Sequence, residues 1–194
     1  MAINLSKGQK ISLQKETQST LGNVMMGLGW DQKKPEGFWA TLFSSGTAID
    51  LDASCLMLDA DKKLVDVVWF RQLNSKDGSI HHSGDNRTGA GEGDDEQIRV
   101  DLPHVPPQVH HLIFTINSFT GQSFATIQNA FCRLVDSKTG KEIARYNLGA
   151  GGKYTAQIMA RLYRHEGDWK MHAIGEVSDG RTFDALLPLI QKIL

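Results

Sequence analysis

The sequence predicts an all-β protein, an antiparallel β-sandwich with a C-terminal helix. Three observations support this fold class: apolar residues recur mainly with a period of two, turn signals separate the runs, and no helical segments alternate with them. Many short strands without intervening helices favour a sandwich over an α/β sheet. There is no internal repeat and no linker, so residues 1–194 are expected to form a single domain.

The predicted strands are rich in β-branched and aromatic residues. The first alternates strictly from Ile49 to Ala53 and then continues to Leu58. Turn signals at 76–79, 137–140 and 165–168 separate later runs. These runs are Leu64–Phe70, His110–Asn117, Ala130–Val135, Glu142–Leu148, Tyr154–Arg164 and Trp169–Val177.

Two segments also show helical spacing. In Tyr154–Arg164, the apolar residues Ile158, Met159 and Leu162 fit a helix face, but glycine turns flank the segment and favour a strand. The C-terminal segment predicts an amphipathic helix that caps the sandwich. Its apolar face comprises Phe183, Leu186, Leu187, Ile190 and Ile193.

Composition excludes several functions. The net charge is −1 and the 21 basic residues are scattered, so nothing favours nucleic acid or an anionic membrane as a partner. The N-terminus lacks a secretion signal, and no apolar run reaches membrane-spanning length. Cys55 and Cys132 lie in apolar stretches that are typical of reduced core thiols. We therefore expect a cytoplasmic protein that does not insert into a membrane.

The segment Gly84–Glu96 concentrates five acidic residues and four glycines. Like charges at 4 Å near a protein surface repel by roughly 4 kcal/mol per pair, so a folded loop of this kind needs solvation or a cation. Hard oxygen ligands on a flexible loop are typical of calcium sites. Carboxylates, one side-chain carbonyl and the glycine-spaced backbone could supply them. The candidate ligands are Asp85, Asn86, Gly91, Asp94, Asp95 and Glu96.

Asp50 and Asp52 form a second acidic group. They alternate with apolar residues, so both carboxylates leave the same face of the predicted strand, about 6.6 Å apart. That spacing allows them to converge on one ion. The alternative is a pair of carboxylates on a solvated face of the sheet.

The acidic loop and the histidine pairs have other possible interpretations. Asp85 and Glu96 have the spacing of the outer EF-hand ligands, but the interior does not fit that motif. The glycines at 89, 91 and 93 could suggest a phosphate-binding loop, but the acidic residues between and after them would repel phosphate. A disordered acidic loop remains an alternative to a metal site. The pairs His81–His82 and His110–His111 are expected at the surface or at sheet edges, because adjacent strand residues point to opposite faces.

At this point the residues resemble a known family, the TerD family of bacterial tellurite-resistance and stress-response proteins. The resemblance covers most of the chain, in order, and the acidic loop is its most specific part. The matching stretches are Leu28–Asp31, Asp50–Ser54, Gly84–Gly89, Gly93–Glu96, Val100–Pro103, Asn129–Arg133 and Glu142–Tyr146.

The resemblance implies a β-sandwich that binds two calcium ions through the Asp50–Asp52 strand and the acidic loop. Asp31 lies in another family motif and would be a further ligand. The resemblance also implies a role in tellurite and stress resistance without catalysis, with protein partners that include other tellurite-resistance proteins. Asn117–Phe124 departs from many members, which carry a loop with His and Asp there, and is more similar to the TerZ and TerX paralogues.

An enzyme remains the alternative. Two metal ions bridged by aspartate could activate water for the hydrolysis of a phosphate ester, with His81 or His82 as the proton carrier. Hydrolases keep coordination positions open, whereas a glycine-rich acidic loop tends to saturate its ion. The non-catalytic interpretation is therefore preferred.

Overall fold

Twelve strands form two sheets in the computed structural model, which describes residues 2–17, 22–32, 51–84, 93–148 and 152–194. The strands are β1 (Ile3–Leu5), β2 (Lys10–Ser12), β3 (Asn23–Gln32), β4 (Leu51–Leu58), β5 (Leu64–Val68), β6 (Ile80–His82), β7 (Glu96–Asp101), β8 (His111–Ser118), β9 (Ile127–Asp136), β10 (Glu142–Asn147), β11 (Ala156–His165) and β12 (Asp168–Ser178). The helices are α1 (Leu13–Thr17) and α2 (Phe183–Ile193), with 3₁₀ turns at Leu102–His104 and Phe124–Thr126.

The first sheet has the strand order β1-β10-β9-β3-β7-β6, and the second has the order β2-β12-β11-β8-β4-β5. The named strands pair antiparallel except β1, which runs parallel to β10. The predicted all-β fold class is confirmed. The prediction that Tyr154–Arg164 is a strand is also confirmed, since this segment lies between β8 and β12 in the second sheet.

Five strands were not anticipated from the period-two pattern, namely β1, β2, β3, β6 and β7. Three of them have only three residues, too few to show alternation. β3 contains Gly27 and Gly29, and glycine is depleted in strands because it has no side chain to pack. In β7 the inward position 96 is a glutamate where the pattern requires an apolar residue.

Apolar side chains fill the space between the sheets, including Leu28, Ile98, Phe114 and Cys132, which are all fully buried. Both cysteines are free thiols without solvent exposure. Burial raises the pKa of each thiol, to about 12 for Cys132, so neither forms a thiolate near neutral pH. None of the helices among the described residues is long and apolar enough to cross a membrane.

Helix α2 covers the outer face of the second sheet. Its buried residues Phe183, Leu186 and Ile190 pack against Leu56 of β4 and Ile113 of β8. The C-terminal helix was thus predicted correctly. All eight residues of β4 are buried, because the other sheet covers one face and further structure covers the other. The solvated face considered for Asp52 is therefore wrong: this residue is only 6% exposed.

The covering role of α2 can be tested by Ile190→Ala. We expect a loss of about 2–5 kcal/mol in the free energy of unfolding, because a fully buried isoleucine leaves a cavity between helix and sheet. Urea denaturation measures the change. Lys192→Ala, on the exposed side of the same helix, should stay within about 0.5 kcal/mol of the unsubstituted protein. Equal effects of the two substitutions would contradict the packing described.

Candidate metal centre

One end of the sandwich gathers the predicted ligands, and we call it the acidic pole. Asp31 lies near the end of β3, Asp52 near the start of β4, and Asp94–Glu96 at the entry to β7. Strands β3 and β7 are antiparallel neighbours in one sheet, which brings the end of one beside the start of the other. The other four predicted ligands lie outside the described residues: Asp50, Asp85, Asn86 and Gly91.

Glu96 joins the two sheets at the acidic pole. It points inward from β7, is fully buried, and its Oε2 accepts a 2.7 Å hydrogen bond from the backbone N–H of Ala53 in β4. Strand β5 ends at Val68, opposite Cys55, so none of the described strands continues alongside Ala53 on that edge. The carboxylate satisfies a backbone donor that the sheet does not. The end of the acidic loop is thereby fixed beside Asp52.

His82 completes the surroundings of Glu96. Its Nε2 lies 3.3 Å from Glu96 Oε2, and both side chains have no solvent exposure. The Gly84 N–H donates to His82 Nδ1 at 3.0 Å, which places the ring proton on Nε2, facing the carboxylate. The expectation of histidines at the surface or at sheet edges holds for both residues: His81 is exposed and contacts Asn74, whereas His82 is buried but lies on β6, the edge strand of the first sheet. A fully buried His82 cannot act as the proton carrier for a substrate in solvent.

Asp95 extends the pairing of β3 and β7 beyond the last regular residue pair, Leu28 and Glu96. Its backbone N–H donates to the Leu28 carbonyl, and its Oδ2 accepts from the Trp30 N–H, both at 2.8 Å. A carboxylate oxygen thus takes the place of a backbone carbonyl. Backbone donors of this kind hold a carboxylate in a fixed orientation, as the groups around metal ligands commonly do.

Asp94 turns to the outer face of the first sheet. Arg133 of β9 holds it in a bidentate pair, with Nε to Oδ1 at 2.7 Å and Nη2 to Oδ2 at 3.0 Å. Gln97 donates to Oδ2 at 3.3 Å. Because both oxygens of Asp94 are already hydrogen-bonded, this geometry gives it a positioning role and does not favour its predicted role as a ligand. The ligand prediction itself stays untested.

Two glycines of β3 make room for this arrangement. A Cβ at Gly27 would lie 2.3 Å from Cγ of Asp94, and one at Gly29 would lie 2.5 Å from the ring of Phe131. Both distances are far below a van der Waals contact. The Asp94 carboxylate therefore lies directly against the backbone of β3, between Arg133 and Gln97, which pair with Gly27 from either side.

An ion-pair network continues from Arg133 across the outer face of the first sheet. Arg133 Nη1 lies 3.2 Å from Glu142 Oε2, and Arg145 Nε lies 2.8 Å from Glu142 Oε1. Hydrogen bonds from Arg145 and then Arg133 hold the pKa of Glu142 below its ordinary value. The Arg145 guanidinium also stacks on Phe131 at 4.3 Å. These contacts anchor the acidic pole to the sheet through Asp94.

Asp52 lies on the outer side of β4, opposite Asn117 in β8. Asn117 is 1% exposed, and its Nδ2 donates at 3.3 Å to the carbonyl of Gly180, shortly before α2. Asp52 and Glu96 therefore approach the pole from opposite faces of the second sheet. Asp31 pairs with Gln128 of β9.

The described residues alone do not complete a metal site: among them, no three His, Cys, Asp or Glu side chains form a group that could hold an ion. The donor set nevertheless fits a hard cation, because Asp52, Asp95 and Glu96 are oxygen donors at one pole. Backbone N–H groups orient Asp95 and Glu96. Sequence reasoning assigned no role to Gly27 or Arg133, and it considered His82 only as a proton carrier. The alternation of side chains along the strand could have placed Arg133 on the same face as Phe131, but nothing in the sequence indicates that Arg133 pairs with Asp94.

The fold and the acidic pole together define a class of protein: a two-sheet sandwich with several acidic residues at one end. The chain belongs to the TerD domain family, whose model matches residues 1–187. It is 48% identical to the tellurium resistance protein TerZ of Serratia marcescens, over 94% of this chain and 93% of that protein. It is 42% identical to general stress protein 16U of Bacillus subtilis (strain 168), over 93% of each chain. The resemblance to the TerD family is confirmed.

Two solved structures share the fold. A homologue of the telluride resistance protein TerD from Streptomyces coelicolor A3(2), SCO6318, superposes with a TM-score of 0.67 at 22% identity, covering 82% of this chain and 92% of that one. A protein of unknown function, SAV2460, superposes with a TM-score of 0.65, also at 22% identity, covering 87% and 98%. At this identity the likeness supports the fold alone.

The packing of the Asp94 carboxylate against β3 can be tested by Gly27→Ala. We expect a loss of about 1–3 kcal/mol in the free energy of unfolding, because the added methyl group displaces the Asp94 carboxylate from Arg133. Urea denaturation provides the measurement. Gly22→Ala is the matched control, since nothing lies within 4 Å of its added Cβ, and it should be neutral or slightly stabilising.

A double-mutant cycle tests whether displacement of Asp94 causes the loss of stability in Gly27→Ala. If the methyl group acts through Asp94, Gly27→Ala should cost much less in an Asp94→Ala background than alone. Additive costs would show that Asp94 is not the group displaced.

Proposed function

We propose that this protein is a non-catalytic calcium-binding protein of the cytoplasm that contributes to tellurium and stress resistance through calcium-dependent contacts with partner proteins. The observation that carries the proposal is the bond from Ala53 N–H to Glu96 Oε2. It fixes the end of the acidic loop against β4 next to Asp52, so two acidic segments far apart in sequence meet at one pole.

The proposed ligands divide into two groups. Asp52, Asp95 and Glu96 belong to the described part of the pole and are partly or fully buried. The remaining proposed ligands are Asp31, Asp50, Asp85, Asn86 and Gly91, with two ions bound in all. Asp94 would act by holding the loop to Arg133 and not by contacting the ion. Calcium supplies the positive charge that a cluster of carboxylates needs when it is folded.

The names of relatives support the wider role. Serratia marcescens TerZ and TerD are named for tellurium resistance, and the Bacillus subtilis relatives include general stress protein 16U and stress response protein SCP2. These relatives match at least nine-tenths of this chain at 39–48% identity. A shared role in stress resistance is the simplest consequence of similarity on this scale.

Calcium binding can be measured by calorimetry on metal-stripped protein in millimolar magnesium. We expect micromolar or tighter binding and a rise in Tm of about 5–10 °C at a hundredfold excess over Kd, because the ion binds only the folded form. Asp52→Asn and Asp95→Asn should each weaken binding at least tenfold by removing a charged oxygen ligand. Asp61→Asn, at an 80% exposed position in the turn after β4, is the matched control and should bind as the unsubstituted protein does.

The affinity also separates two roles for the ion. A Kd of about 10⁻⁷–10⁻⁵ M is typical of a sensor, and a tighter site would stay filled and act structurally. Absence of both heat and thermal shift would overturn the calcium proposal. Binding that is unchanged in both Asp52→Asn and Asp95→Asn would place the ion elsewhere.

A surface for partners adjoins the pole. Trp69, Phe70 and Phe119 pack edge to face in a chain with centroid distances of 4.9 and 5.4 Å, and Arg71 lies 5.2–5.6 Å from all three rings. Phe119 is 36% exposed and directly follows Ser118, the β8 partner of Leu51. We call these four residues the aromatic patch. Aromatic residues and arginine are the types most enriched in protein interfaces.

A photo-crosslinking amino acid at position 119 tests this surface in cells of the source organism. We expect crosslinks to defined proteins, identified by mass spectrometry, that diminish when the acidic pole carries Asp95→Asn. The same amino acid at Leu64, which is 38% exposed near the opposite end of the second sheet, is the matched control. Equal crosslinking at both positions, or crosslinks unaffected by Asp95→Asn, would argue against calcium-dependent docking at the patch.

A further inference from the structure

A second polar cluster lies on the outer face of the second sheet, beyond the residues that α2 covers. Arg161 of β11 stands directly opposite His172 of β12, and Tyr163 stands opposite His111 of β8. Directly opposed residues on neighbouring antiparallel strands share a face, and residues two apart on one strand do so as well. Arg161, His111, His172 and Tyr163 therefore form one group, which we call the arginine cluster.

Arg161 is buried, and no carboxylate among the described residues pairs with it. It is 9% exposed, and its Nε is inaccessible and makes no hydrogen bond to any described residue. Its guanidinium stacks on Tyr163, with the guanidinium carbon 4.3 Å from the ring centre. Burial lowers the pKa of this arginine, which reflects the cost of removing its charge from water.

The other partly buried arginines of the described residues differ from Arg161. Arg133 and Arg145 pair with carboxylates. Arg164 donates to the carbonyls of Val109 and Val105 and also stacks on Trp169. A buried guanidinium is costly unless its charge is paired and its donors are satisfied. Arg161 therefore has donors suited to an anion that the described part of the chain does not provide.

Two histidines flank Arg161 with further donors. Nδ1 of His111 and Nδ1 of His172 are both buried, and neither has a hydrogen-bond partner among the described residues. Burial, followed by the charge of Arg161, lowers the pKa of each imidazole to about 4. An imidazole can donate from Nδ1 in either protonation state, since the neutral ring chooses its tautomer.

The charges around the cluster are mainly positive. Lys10 is the β2 partner of His172, and Lys170 is the β12 partner of Tyr163. The charges of Lys62 and His110 lower the pKa of His111, while Asp59 raises it. Asp59 accepts a hydrogen bond from the Lys63 N–H and helps to close its own turn.

An open groove of about 970 Å³ adjoins the cluster, lined in part by Lys10, Tyr163 and Lys170. Its acidic residues include Asp168, which is bonded to Ser12 and to the Trp169 N–H, Glu166, which contacts His165, and Glu16.

We propose that the arginine cluster binds a small oxyanion of the phosphate, sulfate or tellurite class. The guanidinium of Arg161 presents a planar fork of donors, the geometry that matches such oxygens. The two histidines and the nearby lysines add donors and positive charge on the same face. This site is separate from the acidic pole and does not depend on calcium binding there.

The test uses the full chain in EDTA, titrated separately with sodium phosphate, sulfate and tellurite against a chloride background. NMR of the Arg161 Nε–H and of the two histidine rings should show saturable shifts, and calorimetry gives the Kd. Arg161→Gln should weaken binding at least tenfold, as expected for the loss of hydrogen bonds from a charged donor. Arg99→Gln, at an exposed arginine of the other sheet, is the matched control and should leave the Kd unchanged.

The three anions identify the class of ligand. Tighter binding of tellurite than of phosphate would indicate direct contact with the tellurium oxyanion, and the reverse order would indicate a phosphorylated ligand. Equal affinity in Arg161→Gln and the unsubstituted protein, or no saturable shift with any of the three, would overturn the proposal. If Arg161→Gln does not fold, Arg161→Lys retains the charge without the fork and should still bind several-fold more weakly.

The pH dependence gives an independent check. Sulfate is the suitable probe because it does not titrate between pH 4 and 7. Protonated histidines attract the anion, so bound sulfate should raise the pKa of both His111 and His172 above about 4. Its affinity should accordingly increase as the pH falls from 7 towards 4. An affinity that does not change over this range would exclude the histidines from the site.

Discussion

The hydrogen bond from Ala53 N–H to the buried carboxylate of Glu96 is the contact on which the acidic pole depends. It crosses the sandwich, links β7 of one sheet to β4 of the other, and satisfies a backbone donor where β5 has ended. A buried carboxylate is costly without partners, and His82 is the second group beside it. Because Glu96 is also a proposed ligand, the same side chain determines the position of the proposed metal site and the packing of the two sheets. A change at Glu96 would affect both.

The acidic run Asp94–Glu96 serves three different purposes, although its composition gives no sign of this. Asp94 turns outward and pairs with Arg133, Asp95 lies at the edge of β3 and accepts from Trp30, and Glu96 turns into the core. Protein hydrogen-bond donors hold each of the three carboxylates without a contribution from an ion. A loop that is anchored at its end loses less conformational freedom when it closes on a metal, so pre-organisation of this kind favours affinity.

The sequence predicted the strands that alternate regularly, and it missed β3, the strand against which the acidic run is anchored. The reason is physical: Gly27 and Gly29 remove the alternating side chains because Asp94 and Phe131 occupy their space. The contact between His82 and Glu96 was not predicted for a related reason, since the two residues are distant in sequence. The acidic composition predicted a metal site, and this stays a prediction, whereas pairing between distant residues cannot be read from local patterns. How the ligands divide between ions is likewise set by tertiary contacts.

Strand β4 connects the two proposed sites. Asp52 lies near its start at the acidic pole, whereas Leu58 at its end stands opposite His111 of the arginine cluster. Asp52 and the arginine cluster both lie on the outer side of the second sheet, the first at the end rich in carboxylates and the second at the end rich in cationic groups. Because the carboxylates and the cationic groups lie near opposite ends of β4, they do not pair with each other. Strand β4 is buried along its whole length, and a densely packed strand transmits displacement poorly unless whole elements move. The two proposed sites are therefore expected to bind their ions independently.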